Sequence, residues 1–135
     1  MKLLIIHGPN MNLLGSFSAN RNTLDKLNRK IRQTAQSQKV EVKIYQTHNQ
    51  AKYVTLLQRN RNKVDGMILN LGPWHVEGLL IKDTLSVINP KYRIAEDINH
   101  SKEYLKQSLF NKELIIENSD INQAYSQAME QLISI

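Results

Sequence analysis

The chain has 135 residues, of which 41% are hydrophobic and 22% charged, as expected for one globular domain with a substantial core. It has no cysteine, which excludes disulfides and thiol catalysis, and no apolar run approaches the roughly 20 residues of a membrane span. The net charge of +6 favours an anionic partner. Because the basic residues are dispersed and no aromatic residues are interleaved with them, we expect a small carboxylate or phosphate, and neither nucleic acid nor a membrane.

The first predicted element is the apolar run Leu3 to Ile6, which leads into a polar loop from His7 to Gly15. An apolar run bounded by turn formers is typical of a strand buried on both faces in a parallel sheet. Such sheets bind ligands outside the carboxyl ends of their strands, so we expect a site at this loop. Asn10 and Asn12 carry donors and acceptors for a polar ligand. The alternative is that both only satisfy the backbone of their own turn.

Strands and helices alternate along the rest of the chain. Thr23 is expected to cap a helix whose apolar stripe is Leu24, Leu27, Ile31 and Ala35, and the segment 40–44 alternates as an edge strand does. The remaining predicted elements are helices over 51–60, 76–87, 102–106 and 121–133 and strands over 64–69, 92–96 and 114–116. This order predicts an α/β domain over residues 1–135, with a parallel sheet and right-handed crossovers.

All four histidines lie near ends of predicted strands, namely His7, His48, His75 and His100. Their spacing matches no usual set of metal ligands, so we predict no metal site and expect these histidines to face solvent. The nearby Trp74 is expected to line a pocket or to fill an interface.

The opening stretch His7-Gly8-Pro9-Asn10-Met11-Asn12-Leu13-Leu14-Gly15 resembles the first motif of type II 3-dehydroquinate dehydratase, usually N-G-P-N-L-N-x-L-G. The resemblance continues through Thr23-Leu24, Val64-Asp65-Gly66, Asn70-x-Gly72, Lys82-Asp83 with Leu85, and Pro90. It implies a flavodoxin-like three-layer sandwich with a five-stranded parallel sheet in the order 2-1-3-4-5. It also implies a homo-oligomer, a trimer or a dodecamer, that dehydrates 3-dehydroquinate to 3-dehydroshikimate in the shikimate pathway without a cofactor. The absence of cysteine fits a cytoplasmic location.

The same resemblance implies the site residues. Asn12 corresponds to a catalytic asparagine, and Arg21 stands in for a catalytic arginine of the family's lid. The expected substrate-binding residues follow the ends of the predicted strands and are Asn10, Asn70, Gly72, Trp74, His75, Asn99, His100 and Lys102.

Three segments depart from the family pattern. The lid segment 16–22 lacks the tyrosine that supplies the base, and the loop 47–51 reads T-H-N-Q-A where the family has S-N-H-E-G. On the fourth strand neither the family's glutamate nor its acid histidine aligns, so Glu96 or His100 would replace them only through a shifted register. We therefore expect a diverged member, a lyase if active, with weak or lost activity. The alternatives are a non-catalytic or repurposed small-anion-binding oligomer and a purely structural role.

Overall fold

A five-stranded sheet forms the centre of the computed structural model, which describes residues 1–135 apart from the side chain of Asn20. The strands are β1 (Lys2–His7), β2 (Glu41–Gln46), β3 (Gly66–Leu69), β4 (Tyr92–Asp97) and β5 (Ile115–Asn118). All four strand pairs are parallel, and the order is β2-β1-β3-β4-β5. The predicted topology is confirmed, and β2 lies at the edge as its alternating sequence indicates.

Helices cover both faces of the sheet. They are α1 (Leu24–Ser37), α2 (Gln50–Asn60), α3 (Trp74–Glu77), α4 (Leu79–Ile88), α5 (Lys102–Lys106) and α6 (Ile121–Ser134). Short 3-10 helices span Met11–Ser16, Ala19–Arg21 and Lys112–Leu114. Within the described chain, none of the helices combines the length and apolar character needed to cross a membrane.

Two hydrophobic cores sandwich the sheet. Leu3 and Ile5 of β1 pack into the core under α1 and α6, whereas Leu4 and Ile6 pack into the core under α2 and α4. Successive side chains of a strand point to opposite faces, so a strand covered on both sides must be apolar throughout. This double burial explains the continuous apolar run that opens the chain.

The helix predicted over 76–87 is in fact two helices that meet at Gly78. A β-carbon at Gly78 would lie 2.2 Å from the carbonyl oxygen of Trp74, so the close approach of the two helical segments requires glycine. The loop that follows β1 is also more ordered than predicted, since its 3-10 helix buries Met11 and Leu14 in the core.

The loops after β1 and β3 meet at the carboxyl edge of the sheet. The backbone N–H of Gly8 donates to Oδ1 of Asn70 over 3.0 Å. A β-carbon at Gly8 would lie 2.6 Å from the backbone oxygen of Asn70, so the contact leaves no room for a side chain. Gly8 thus sets the spacing of the two loops at which ligands of this type of sheet bind.

The Gly8→Ala variant should lose about 1–3 kcal/mol of unfolding free energy, because two backbone segments must separate to admit one methyl group. Urea denaturation measures the loss. Gly15→Ala is the matched control, since a β-carbon there would lie 3.1 Å from a methyl group of Thr23 and 3.8 Å from the nearest backbone oxygen, that of Asn22. Equal stability of the two variants would contradict this account of the edge.

Candidate functional site

A buried carboxylate, that of Glu96 at the end of β4, organises the carboxyl edge of the sheet. One of its oxygens, Oε2, accepts from the backbone N–H groups of Leu71 and Gly72, at 2.9 and 3.3 Å, and lies 2.7 Å from Nε2 of His75. The other oxygen, Oε1, accepts from the Ser101 hydroxyl over 3.2 Å. Because Glu96 is only 1% exposed, these contacts replace its hydration shell.

The side chain of Asn70 links this carboxylate to the first strand. Its Nδ2 donates to Oε1 of Glu96 over 2.9 Å and to the backbone oxygen of Ala95 over 3.1 Å, while its Oδ1 accepts from Gly8. The hydroxyl of Tyr53 donates to the backbone oxygen of Asn70 over 3.0 Å. Asn70 therefore uses its side-chain donor and acceptor within the chain.

His75 extends the same network towards the segment after α5. Its Nδ1 lies 2.7 Å from Oγ of Ser108, and its backbone oxygen accepts from Leu109 over 2.8 Å. The ring packs edge to face against Phe110. The expectation that His75 faces solvent is wrong, since its partners enclose the side chain completely.

His7 is likewise buried, on the opposite face of the sheet. Its Nε2 lies 2.7 Å from Oδ1 of Asn28, and its Nδ1 lies 2.7 Å from the hydroxyl of Tyr125. The Asn28 oxygen can only accept, so Nε2 carries the hydrogen and Nδ1 accepts from Tyr125. Burial lowers the pKa of His7 from 6.5 to about 4, and the ring is neutral near pH 7. The predicted solvent-facing position is wrong for His7 too, whereas His48 and His100 are exposed.

The predicted site residues fall into two groups. The buried group consists of Asn70, Gly72, Trp74 and His75, and the exposed group of Asn10, Asn12, Arg21, Asn99, His100 and Lys102. Trp74 packs edge to face against Tyr53 in the core under α2. His100 stacks on Phe17 with ring centroids 3.8 Å apart, which joins the loop after β4 to the segment after β1.

The side chains of the exposed asparagines in the opening loop do not cap its 3-10 helix. Asn10 adopts a left-handed conformation with φ 68° ahead of the 3-10 helix, and its side chain makes no capping hydrogen bond. Among the described hydrogen bonds, none involves the side chain of Asn12. Both amides therefore lie at the surface of the edge with their donors and acceptors available.

Sequence reasoning did not place Glu96, Ser101 and Ser108 at the centre of this network. The signal for Glu96 is its position: it is a carboxylate on the same face as Ile94, in the buried second half of the strand. Within the described chain, no group of three or more histidine, aspartate or glutamate side chains is placed to hold a metal ion.

The strand order and the polar carboxyl edge define a flavodoxin-like α/β protein. The family model for class II dehydroquinases matches residues 1–133. The chain is 31% identical over 111 residues to 3-dehydroquinate dehydratase of Thermotoga neapolitana, which covers 79% of this chain and 75% of that one. The enzyme of the same name from Trichodesmium erythraeum is 32% identical over 90 residues, 64% of this chain and 60% of that one. This chain therefore belongs to the class II dehydroquinase family.

Solved structures agree on the fold. The type II dehydroquinase from Butyrivibrio crossotus superimposes with a TM-score of 0.86 at 24% identity, covering 98% of this chain and 97% of that one. The type II dehydroquinase from Propionibacterium acnes gives a TM-score of 0.83 at 16% identity, covering 99% and 98%. At this identity the likeness is one of fold, and it confirms the sandwich that the sequence predicts.

Glu96→Gln should destabilise the protein by about 3 kcal/mol or more. The amide NH2 group replaces an acceptor among several buried donors, and each donor left without a partner costs about 1–3 kcal/mol. Urea denaturation measures the change. Glu103→Gln is the same substitution on the surface and should change stability by less than about 0.5 kcal/mol. Similar effects of the two substitutions would exclude the network as a source of stability.

The lowered pKa of His7 predicts a defined loss of stability in mild acid. Between pH 6.5 and about 4 the unfolded chain binds a proton at this residue that the folded chain does not, so the unfolding free energy falls as the pH falls. The loss reaches about 3 kcal/mol at the lower end of this window. Urea denaturation across the window should give a shallower pH dependence for His7→Asn than for the unmodified chain. The exposed control His48→Asn should keep the steep dependence, and a steep dependence in His7→Asn would refute the assignment.

Proposed function

We propose that this chain is a diverged type II dehydroquinase in which turnover of 3-dehydroquinate is weak or lost. The observation that carries the proposal is the Glu96 carboxylate, which occupies the backbone donors of Leu71 and Gly72 as well as the His75 ring. These buried donors of the edge are thus already bonded within the chain, and we propose that they are not available to a substrate.

The missing base supports the same proposal. Dehydration needs a base that removes the proton next to the ketone. The segment 16–22 has no tyrosine. Tyr53 and Tyr125 are close to this edge, but burial raises the pKa of both well above the ordinary value, which keeps them protonated. Neither tyrosine is suited to be the base.

The limited choice of a general acid supports the same proposal. An acid must protonate the departing hydroxyl, and histidine is the usual group. His7 and His75 are fully buried and bonded to Asn28, Tyr125, Ser108 and Glu96. The accessible histidines after the strand ends are His48 and His100, and the ring of His100 stacks on Phe17.

We assign the residual chemistry to the exposed residues. Asn12 and Arg21 are the proposed catalytic residues, and the proposed ligand contacts come from Asn10, Asn99, His100 and Lys102. The other predicted binding residues, Asn70, Gly72, Trp74 and His75, are held inside the chain, and we propose that they shape the rim. If the chain is active, it is a lyase and needs no cofactor.

The second candidate is a small-anion-binding homo-oligomer on the same fold. The net charge of +6 favours an anionic ligand. Helix α4 leaves Leu79, Leu80 and Val87 between 52% and 75% exposed, an apolar face that supports self-association, and the family resemblance favours at least a trimer. Light scattering at micromolar concentration tests this, and a monomeric mass would reject it.

The absence of cysteine supports a cytoplasmic location.

Formation of the conjugated enone product from 3-dehydroquinate, followed by absorbance, tests the main proposal. Because a base and an acid each contribute about 10²–10⁴-fold, kcat/KM should lie at least about 10⁴-fold below that of the Thermotoga neapolitana enzyme measured alongside. Asn12→Ala should abolish whatever rate remains.

Two results of this assay would contradict the proposal. A rate within about tenfold of the reference enzyme, abolished by Asn12→Ala, would mean that other groups have replaced the base and acid. The same rate unaffected by Asn12→Ala would place the site outside the opening loop.

A further inference from the structure

A concave region opens on the α1 and α6 side of the sheet, across β4 from Glu96. It is a cleft of about 330 Å³ bounded by α1, the start of α6, Ser18, Ala19 and Asn22. Asp97 lines it, because side chains alternate along β4 and that of Asp97 points away from the face that holds Glu96. Neither Asn12 nor Glu96 lines this cleft.

One wall of the cleft is basic. Lys26, Arg29 and Lys30 follow one another on α1 at the spacing that aligns side chains along one flank of a helix. Within the described chain, no carboxylate oxygen lies within 4 Å of these three cationic groups. Their charges are therefore available to an anion that enters the cleft.

The opposite wall offers hydrogen-bond acceptors and amides. Oδ1 of Asp97 accepts from the backbone N–H groups of Asn99 and His100, at 2.9 and 3.2 Å. Asp120 caps α6 by accepting from the N–H of Asn122 over 3.0 Å. Each carboxylate is thus engaged through one oxygen with the backbone of its own turn, and neither forms an ion pair with the basic wall.

A pair of amides closes one end of the cleft. Nδ2 of Asn22, a residue only 8% exposed, donates to Oδ1 of Asn122 over 3.3 Å. This bond ties the segment before α1 to the first turn of α6, so the two walls are held in a fixed relation.

We propose that this cleft binds a phosphate monoester of a small hydroxylated compound, such as a sugar phosphate. A phosphate group carries about −1.5 to −2 charges at pH 7 and suits a wall with three cations, one of them the planar fork of Arg29. The hydroxyl groups of the ligand donate to the carboxylates of Asp97 and Asp120. A volume of about 330 Å³ is at the lower end for small-molecule sites. None of the residues that line the cleft is aromatic, so nothing there stacks a nucleobase.

The test is a titration of the ¹⁵N-labelled protein, followed by ¹H–¹⁵N correlation spectra, with ribose 5-phosphate, inorganic phosphate and ribose. Ribose 5-phosphate should give saturable shifts in residues 26–30 and 119–122, inorganic phosphate weaker binding at the same residues, and ribose none. The double variant Arg29→Gln/Lys30→Gln should bind at least about tenfold more weakly, as expected for the loss of charged hydrogen bonds. Arg59→Gln/Arg61→Gln removes the same charge beside α2, on the other face, and should bind as the unmodified chain does.

Several outcomes would overturn the proposal: no shifts up to about 10 mM ligand, shifts confined to other residues, or equal weakening in the two double variants. Equal affinity for inorganic phosphate and ribose 5-phosphate would refute the role of the carboxylate wall.

The proposal does not depend on dehydroquinate turnover. Enone formation reports on the edge around Asn12, so the two proposals can fail separately.

Discussion

The buried carboxylate of Glu96 is the constraint on which the carboxyl edge of the sheet depends. An isolated buried charge is very unfavourable, so Glu96 is tolerated only because donors from separate segments converge on it. Asn70 and the backbone that follows it approach from the end of β3, His75 from α3, and Ser101 from the turn before α5. Each of these segments is thereby fixed relative to β4. The edge is rigid because the Glu96 carboxylate requires the hydrogen bonds of all of them.

This rigidity has a chemical consequence. A catalytic edge needs polar groups that are positioned by the fold but free to engage a substrate. Around Glu96 the groups are positioned, but their hydrogen bonds are used within the chain, down to both ring nitrogens of His75. The contacts that hold this edge together therefore use the hydrogen-bonding capacity of its buried polar groups within the chain.

The fold was predictable because its main signals are local. Leu3 to Ile6 form a strand buried on both faces, and the strand–helix alternation leaves few possible topologies. The break at Gly78 was not predicted, because apolar periodicity continues through it and only the nearby Trp74 backbone requires it. The sequence predicts which residues follow the ends of the strands. It does not predict which side chains contact one another there. His7 and His75 read as loop histidines, yet their partners Tyr125 and Ser108 lie 118 and 33 residues away.

The end of β4 shows how one strand can serve two different environments. Glu96 and Asp97 are neighbours, so the alternation of the strand sends one carboxylate to each face of the sheet. Glu96 meets converging donors and is buried, whereas Asp97 uses one oxygen to accept from its own turn and borders an open cleft opposite three cations. A carboxylate surrounded by protein donors stabilises the fold, while one beside a solvent-filled basic cleft remains able to accept from a ligand. The strand thus contributes a carboxylate to each face of the sheet. The two faces differ because different helices cover them.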